Sequence, residues 1–233
     1  MMEMQYRRIL AVGDIHGEFK KLKTLLKKVR HDPKTDMLVY LGDYIDRGPE
    51  PVKCLQFVMA QCQRYPGAVI ALKGNHEDLM LSYFAGHAVS MPMETAHIWM
   101  NSGTGGAKTF QQMQQLNKKS PEQVAAVMEF VKSLPVFYRI GNMFYFVHAG
   151  VAPEVPLAKQ REKDLLRIGE NFFRQYNGES KIIVGHHITG KIFEQDTPYF
   201  YKDKVIFCDT GAGSALDGKL SCVDVLTGHF WQA

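Results

Sequence analysis

Short apolar runs alternate with amphipathic stretches along the first third of the chain. Strands are predicted at 8–12, 37–41 and 68–72, because each segment is a short apolar run that ends in a polar turn. Between them, apolar residues recur at helical spacing over 19–29, and Pro51 marks the start of a second helix. The repeated order of strand, turn and helix predicts an α/β fold.

The pattern changes at residue 78 and keeps a helical character as far as residue 134. Gln and Met become frequent there, and loops are predicted at 86–92 and 101–106. Ser120 and the proline after it are typical of a helix start, since proline is favoured in the first turn. We expect this segment, about 78–134, to be a helical insertion within a single domain that spans 1–233.

The second half returns to strand character. Apolar runs at 143–147 and 181–184 predict two more strands, and a helix is predicted over 163–175 between them. The tail at 205–231 consists of short apolar runs separated by glycine-rich turns, which is typical of short strands. One α/β domain with a helical insertion therefore accounts for the whole pattern.

Composition narrows the functional classes. The chain has 45% hydrophobic and 22% charged residues and a formal net charge of +4, which is ordinary for a globular protein. The basic run at 20–30 fits a solvated helix face and accompanies no nucleic-acid-binding motif. We therefore expect no nucleic-acid partner.

Cysteine spacing and hydropathy indicate the compartment. Four cysteines occur without C-x-x-C spacing, which argues against a zinc knuckle. The apolar runs fall short of the ~18 residues that span a bilayer, and no secretory signal is recognisable. We expect a cytoplasmic protein with reduced cysteines and no membrane partner. The sequence carries no signal for an oligomeric state.

Five turns that follow predicted strands carry residues able to bind metal or phosphate. In open α/β sheets, binding sites form outside the carboxyl ends of the strands. We therefore expect these turns to converge. Their candidate residues are Asp14, His16, Asp43, Asp46, Arg47, Asn75, His76, His148 and His186.

These residue types suit a dinuclear metal site. Carboxylates and imidazoles together favour Mn, Fe or Zn over Mg or Ca. A carboxylate can bridge two cations ~3.5–4 Å apart, and the pair lowers the pKa of a shared water. An arginine binds phosphate oxygens with two hydrogen bonds, and a histidine can protonate a leaving oxygen. Singly, each residue reads as a helix cap, a turn former or a surface ion pair; their joint occurrence favours phosphoester hydrolysis.

The same segments resemble the signatures of the phosphoprotein phosphatases, a branch of the calcineurin-like metallophosphoesterases. The bacterial serine/threonine type is indicated by the compact length and by Ala149 in the fourth motif. The resemblance covers nearly the whole chain. Its three main signatures are at 13–17, 42–48 and 74–77, its histidine motifs at 147–151 and 184–186, and its further matches at 153–160, 164–166, 209–213 and 218–220.

The resemblance implies a two-sheet β-sandwich flanked by helices, with two divalent metal ions at one sheet edge. Mn²⁺ is the first expectation, with Fe or Zn as alternatives. Asp43 would bridge both ions. The first ion would also bind Asp14 and His16, and the second Asn75, His148 and His186.

The resemblance also implies how the reaction runs. Arg47 and Asn75 would hold the phosphate, and His76 would be the general acid, oriented by Asp46. A hydroxide bridging the metals would attack phosphorus in line, without a covalent enzyme intermediate. The expected substrates are phosphoserine and phosphothreonine in proteins or peptides, with phosphotyrosine also open.

One segment departs from the family pattern. Bacterial relatives usually read Leu-Leu-Trp-Ile-Arg, and that arginine is a second phosphate ligand; here Gly169 holds its position and Arg167 replaces the Trp. Arg167 is therefore a candidate phosphate ligand. It is not a simple substitute, because adjacent helix positions point about 100° apart. Arg174 could serve instead, or the second clamp is missing.

Two other functions have to be weighed. A dinucleoside polyphosphate hydrolase, such as one for diadenosine tetraphosphate, would use the same dinuclear site. Relatives of that kind often have Gln at the position of His16 and Asp at the position of Glu77, so this chain favours the protein phosphatase. A noncatalytic binding module predicts missing ligands, whereas every metal position is filled.

Several further residues are not part of the predicted site. His97 and Trp99 could line the substrate cleft, although core packing is favoured. His187 is expected to face solvent or to pack. The segment 103–109 is interpreted as a loop and helix start, because Ala107 breaks the spacing of a phosphate-binding loop.

Overall fold

Strands and helices alternate along the chain. The computed structural model describes residues 6–85, 96–214 and 218–233. In chain order the elements are β1 (Arg8–Val12), α1 (Phe19–Val29), β2 (Asp36–Tyr40), α2 (Pro51–Arg64), β3 (Val69–Ala71), α3 (Asn75–Ala85), α4 (Ala96–Met100), α5 (Gly106–Lys119), α6 (Pro121–Ser133), β4 (Phe137–Ile140), β5 (Phe144–Val147), α7 (Glu162–Arg167), α8 (Phe172–Gln175), β6 (Lys181–Val184), α9 (Thr189–Ile192), β7 (Tyr199–Tyr201), β8 (Val205–Phe207), β9 (Ser221–Asp224) and β10 (Phe230–Gln232).

The first sheet has the strand order β10-β9-β1-β2-β3. Strands β1, β2 and β3 run parallel, and β9 and β10 complete the sheet in antiparallel pairing. Successive side chains point to opposite faces of a strand. Leu10 and Val12 of β1 accordingly pack against the helices, whereas Ile9 and Ala11 pack towards the second sheet. Because both faces are buried, the strand reads as a continuous apolar run.

The second sheet has the order β4-β5-β6-β8-β7. Strands β5, β6 and β8 are parallel, and antiparallel β4 and β7 form its edges. Phe146 and Ile183 share one apolar cluster with residues of the first sheet, so the two sheets face each other. The opposite face packs against Phe172 and Phe173 of α8. The predicted two-sheet α/β fold flanked by helices is confirmed.

The prediction of one continuous helix over 163–175 is wrong. The structure has two short helices there, and Ile168 leaves α7 with an extended ψ of 143°. Gly169 follows within the gap, and glycine is a poor helix residue because its backbone loses the most entropy on ordering. The edge strands β4 and β7 were not predicted. Their side chains are exposed or only partly buried, unlike those of the central strands, which are mostly buried.

The segment predicted as helical contains α3, α4, α5 and α6. Helix α3 starts three residues earlier than expected, at Asn75, and the predicted loop at 101–106 ends where α5 begins at Gly106. The predicted loop at 86–92 lies outside the described residues. Helices α5 and α6 pack on α2, so they extend the helical layer of the first sheet. That this segment is an insertion into one domain stays a prediction.

The four cysteines are free thiols in the structure. Cys54, Cys208 and Cys222 are buried, and burial raises the pKa of each thiol. They act as small core residues. Across residues 6–85, 96–214 and 218–233, no helix is long and apolar enough to cross a membrane.

Candidate dinuclear metal site

The turns after four parallel strands line one cleft. The cleft has a volume of about 890 Å³ and lies at the carboxyl ends of β1, β2, β3 and β6. The turn after β5 lies behind this lining, where the fully buried His148 contacts Asp43 and Asn75. This is the position expected for a site in an α/β sheet. The predicted site residues that line it are Asp14, His16, Asp43, Arg47, Asn75, His76 and His186.

Backbone geometry aims the side chains of these turns into the cleft. His16, Asp43 and His186 have φ values of 44°, 53° and 58°, a region that non-glycine residues rarely adopt. Such outliers cluster at functional sites, where the surrounding structure holds them. At Gly74 a Cβ would lie 2.1 Å from Asp43 Oδ1, so only glycine lets the turns after β2 and β3 pack this closely.

Asp43 lies between two groups of atoms that could bind metal ions. Its Oδ2 is 3.6 Å from His16 Nε2, and its Oδ1 is 3.5 Å from His148 Nε2. One possible metal group is His16, Asp43 and His76, and the other is Asp43, His148 and His186. Asp43 is the one residue common to both groups. A carboxylate shared in this way has the geometry needed to bridge two cations.

The second group converges on the side-chain oxygen of Asn75. Asn75 Oδ1 lies 2.7 Å from His148 Nε2 and 3.0 Å from His186 Nδ1. His148 Nδ1 bonds the Leu41 carbonyl at 2.8 Å, which assigns the proton to Nδ1 and leaves the Nε2 lone pair towards the site. Burial lowers the pKa of His148, so its neutral form is favoured. Ligands bound at about 2.1 Å from one ion lie about 3 Å apart, and these atoms match that spacing.

The first group is built around His16. His16 Nδ1 bonds the Ile45 carbonyl at 2.9 Å, and Nε2 lies 3.9 Å from Asp14 Oδ2. Asp14 is buried and accepts the backbone N–H of His186 with both oxygens, at 3.0 and 3.1 Å. Burial raises the pKa of Asp14 well above its usual range, and the nearby charges of Asp209 and Asp43 raise it further. Buried carboxylates gathered in this way are stabilised by a cation, so the donor set fits the expected metal.

His76 has two possible roles in this geometry. Its Nε2 lies 3.7 Å from Asp43 Oδ2, within the first group of metal-binding atoms. Its Nδ1 lies 2.6 Å from Asp46 Oδ2, which leaves Nε2 facing the cleft. Burial opposes the charge on the ring, but Asp43 and Asp46 outweigh it and raise the pKa of His76. That favours a protonated ring able to act as an acid, and this role stays a prediction.

The Arg47 guanidinium covers the first group from the cleft side. Its Nη1 donates to His16 Nε2 at 2.9 Å, and its Nη2 lies 3.3 Å from His76 Nε2. A planar guanidinium offers two parallel N–H groups to a phosphate. Arg47 is therefore placed where it can hold a phosphoryl group above the metal-binding atoms.

Arg167 does not line the cleft. Its Nη1 is 2.8 Å from the buried carboxylate of Asp78, and its Nη2 donates to the backbone carbonyl of Asn75 at 3.2 Å. Arg174 stacks on the Phe173 ring at 5.7 Å. Among the described residues that line the cleft, neither arginine appears. The phosphate-binding role of Arg167 stays a prediction, and its contacts favour support of Asn75.

Some cleft residues and supporting residues were missed in the sequence. Lys108, Lys191 and Glu170 line the cleft, but isolated charged residues carry no sequence pattern that indicates such a position. His187 also lines the cleft and is buried, as the packing alternative predicted. Burial lowers the pKa of His187 to about 4. Trp99 is fully buried, as core packing predicts, whereas the side chain of His97 lies outside the described part.

Glu77 ties the turns after β2 and β3 together. Its fully buried carboxylate accepts the backbone N–H groups of Asp43, Tyr44 and Gly74 at 2.8, 2.9 and 3.0 Å. Burial raises its pKa to about 8, while these hydrogen bonds favour the ionised form. Glu77, in the third signature, thus holds together the turns that carry the candidate metal ligands.

Comparison with known proteins agrees with this geometry. The family model for calcineurin-like phosphoesterases matches residues 7–229. Serine/threonine-protein phosphatase 2 of Escherichia coli (strain K12) is 30% identical over 225 residues, covering 93% of this chain and 92% of that protein. The symmetrical bis(5'-nucleosyl)-tetraphosphatase of Neisseria gonorrhoeae (strain NCCP11945) is 28% identical over 149 residues, which cover 64% of this chain and 45% of that protein. A solved structure provisionally described as a diadenosine tetraphosphatase has a TM-score of 0.68 at 19% identity, and the match covers 100% of this chain and 95% of that one.

The chain belongs to the calcineurin-like phosphoesterases, within the phosphoprotein phosphatase branch that its motifs resemble. It is accordingly a phosphoesterase of a family that depends on dinuclear metal sites, and its donor groups could hold metal ions. The relatives carry the names of both protein phosphatases and dinucleoside tetraphosphatases. The family therefore leaves the substrate to be determined.

Proposed function

We propose that the protein is a metal-dependent phosphomonoesterase that hydrolyses phosphoserine and phosphothreonine in proteins, with phosphotyrosine as a further possible substrate. The observation that carries the proposal is the position of Asp43 between two donor groups, with Arg47 above them in an open cleft. Similarity to a serine/threonine phosphatase along nearly the whole chain supports the choice of substrate.

Each ligand position has a proposed assignment. Two divalent cations, Mn²⁺ first and Fe or Zn as alternatives, would lower the pKa of a shared water and neutralise charge on the phosphoryl group. Asp43 contributes to both sites. The other proposed ligands are Asp14 and His16 at the first site and Asn75, His148 and His186 at the second.

The remaining residues would act on the substrate. Arg47 binds the phosphate oxygens, and the side-chain amide of Asn75 is a second proposed contact to them. As the oxygen of water joins phosphorus, the bond to the leaving oxygen breaks, and the His76 Nε2 proton passes to that oxygen. Asp46 holds the proton on Nδ1 and fixes the ring orientation. The products are the free alcohol and inorganic phosphate.

Dinucleoside polyphosphate hydrolysis is the second candidate function. It is favoured by the tetraphosphatase relative and by Lys108 and Lys191, which add positive charge to the cleft walls for a longer phosphate chain. It ranks second because His16 and Glu77 match the protein phosphatase signatures, and because the tetraphosphatase match covers less than half of that relative.

A substrate panel tests the proposal. Metal-stripped protein, with Mn²⁺ added back, is assayed on phosphoserine, phosphothreonine and phosphotyrosine peptides beside diadenosine tetraphosphate. We expect rapid phosphate release from peptides and slow cleavage of the nucleotide. The reverse order would reassign the protein to nucleotide hydrolysis, and failure with every substrate would refute the proposed activity.

A further inference from the structure

Three side chains surround the carboxylate of Asp46. His76 Nδ1 lies 2.6 Å and Trp99 Nε1 2.9 Å from Oδ2, and Thr109 Oγ1 lies 2.5 Å from Oδ1. Asp46, Trp99 and Thr109 are fully buried. The three side chains that contact Asp46 come from α3, α4 and α5, so the arrangement depends on how these helices pack together.

The contacts fix Asp46 in more than one direction. Thr109 Oγ1 also accepts the backbone N–H of Asp46 at 3.0 Å, so one hydroxyl holds both the backbone and the side chain. Asp46 and Arg47 have left-handed φ values of 71° and 58°, which non-glycine residues adopt only when the surroundings hold them. The same contact therefore helps to keep Arg47 aimed at His16 and His76.

The turn between α4 and α5 is shaped to fit against this residue pair. At Gly105, which has a φ of 83°, a Cβ would lie 2.8 Å from the Arg47 backbone nitrogen. At Gly106 a Cβ would lie 2.2 Å from the Trp99 carbonyl. Lys108 Nζ, 3.4 Å away, donates to the Arg47 carbonyl. The segment 99–109 thus packs directly on the turn that carries Asp46 and Arg47.

A buried carboxylate needs hydrogen-bond donors for stability alone, so burial does not distinguish a structural from a functional contact. The oxygen atom that two donors share does distinguish a functional contact from a structural one. Trp99 and His76 bind the same atom, Oδ2, and a carboxylate held by Trp99 and Thr109 has a single orientation in which it can receive His76. Loss of either donor lets the carboxylate rotate, and the ring of His76 then moves with it.

We propose that Trp99 and Thr109 are positioning residues that hold Asp46, and through it His76, in the orientation needed to protonate the leaving oxygen. This inference rests on the proposed function, in which His76 is the general acid. It gives residues 99–109, part of the helical segment 78–134, a role in positioning the proposed general acid.

The leaving group provides a test. An activated aryl phosphate such as p-nitrophenyl phosphate leaves without much help from an acid, whereas an alkyl phosphate needs the proton. We expect Trp99→Phe and Thr109→Val each to lower kcat on a phosphoserine peptide about tenfold and on p-nitrophenyl phosphate about twofold or less, with KM nearly unchanged. Thr109→Ser should restore the peptide rate, because it keeps the hydroxyl.

Two matched controls separate positioning from general damage. Thr189→Val makes the same change at another fully buried threonine, whose Oγ1 has no hydrogen-bond partner among the described residues. Trp231→Phe changes the other of the two tryptophans. Both controls should keep the wild-type ratio of the two rates. Rates are compared only among variants that contain the same amount of metal and whose thermal midpoints equal that of the wild type.

A spectroscopic readout does not depend on turnover. With only two tryptophans, the chain gives two indole N–H signals in a ¹⁵N-correlated NMR spectrum. The Trp99 signal should exchange slowly with solvent and should shift in Asp46→Asn, while the Trp231 signal stays in place. A Trp99 indole signal whose chemical shift is unchanged in Asp46→Asn would overturn the proposed role of Trp99 in holding Asp46.

His76→Gln separates failure of this inference from failure of the proposed function. If His76→Gln slows the two substrates equally, the proposed general acid is wrong. If His76→Gln slows the peptide selectively while Trp99→Phe and Thr109→Val slow both substrates equally or neither, the positioning inference alone is overturned.

Discussion

Arg167 donates a hydrogen bond from Nη2 to the backbone carbonyl of Asn75, whose side-chain oxygen lies 2.7 Å from His148 Nε2 and 3.0 Å from His186 Nδ1. The arginine that the family resemblance offered as a phosphate ligand is thus attached to the outer side of a proposed metal ligand. Groups that orient metal ligands typically change metal affinity 10–100-fold when they are removed.

Arg167→Ala should therefore weaken metal binding and leave phosphate affinity little changed. We expect about a tenfold weaker binding of the second Mn²⁺ in a calorimetric titration, because Asn75 loses its support. Inhibition by inorganic phosphate, measured at saturating Mn²⁺, should stay near the wild-type value. Arg174→Ala is the matched control. Weaker phosphate inhibition with unchanged Mn²⁺ binding would instead make Arg167 the phosphate ligand.

Removal of metal should destabilise the fold. Asp14, Asp43 and Asp209 bring buried carboxyl groups close together, and a cation that binds only the native state stabilises it by about 2.7 kcal/mol at 100 times its Kd. The thermal midpoint should rise with Mn²⁺ concentration and fall with a chelator. Asp14→Asn should reduce that dependence. A midpoint unaffected by Mn²⁺ would contradict a native metal site.

Glu77→Gln should cost stability and metal binding together. The amide would place an N–H group against backbone N–H donors of Asp43, Tyr44 and Gly74, leaving at least one buried donor without an acceptor. The expected loss is about 2–3 kcal/mol of unfolding free energy, measured by denaturant titration. Glu170→Gln, an exposed residue of the cleft, serves as the control and should change stability by less than about 0.5 kcal/mol. Equal effects of the two substitutions would refute the role given to Glu77.

Asp36 should make part of the stability dependent on pH. Burial alone would raise its pKa, but hydrogen bonds from Arg8 and from the Asp32 N–H outweigh burial and lower it. A carboxyl with a lowered native pKa contributes stability above its unfolded pKa, about 3.9, and loses it as the pH falls. The free energy of unfolding should therefore fall more steeply below about pH 4 in the wild type than in Asp36→Asn. Parallel curves would contradict this assignment.

Much of the architecture could be predicted because it depends on local patterns. Strand β1 and helix α1 were predicted at their observed bounds, since buried parallel strands and amphipathic helices have distinct periodicities. The convergence of Asp43, His148 and the other proposed ligands followed from one rule, that the carboxyl ends of parallel strands share an edge.

Contacts between distant helices could not be predicted in this way. Trp99 and Thr109 reach Asp46 only because α4 and α5 pack on the turn after β2, and no local pattern encodes that packing. Arg167, the last residue of α7, likewise reaches Asp78 and the Asn75 carbonyl of α3, a contact between elements distant in sequence.

Electron paramagnetic resonance of the Mn²⁺-loaded protein tests whether Asp43 bridges two metal ions. We expect two Mn²⁺ ions per chain with an exchange-coupled spectrum, because Asp43 belongs to both donor groups. In Asp43→Asn the coupling should disappear and phosphatase turnover should fall at least about 100-fold. A single uncoupled Mn²⁺ in the wild type, or an Asp43→Asn variant that keeps both the coupled spectrum and near-wild-type turnover, would contradict this bridging role of Asp43.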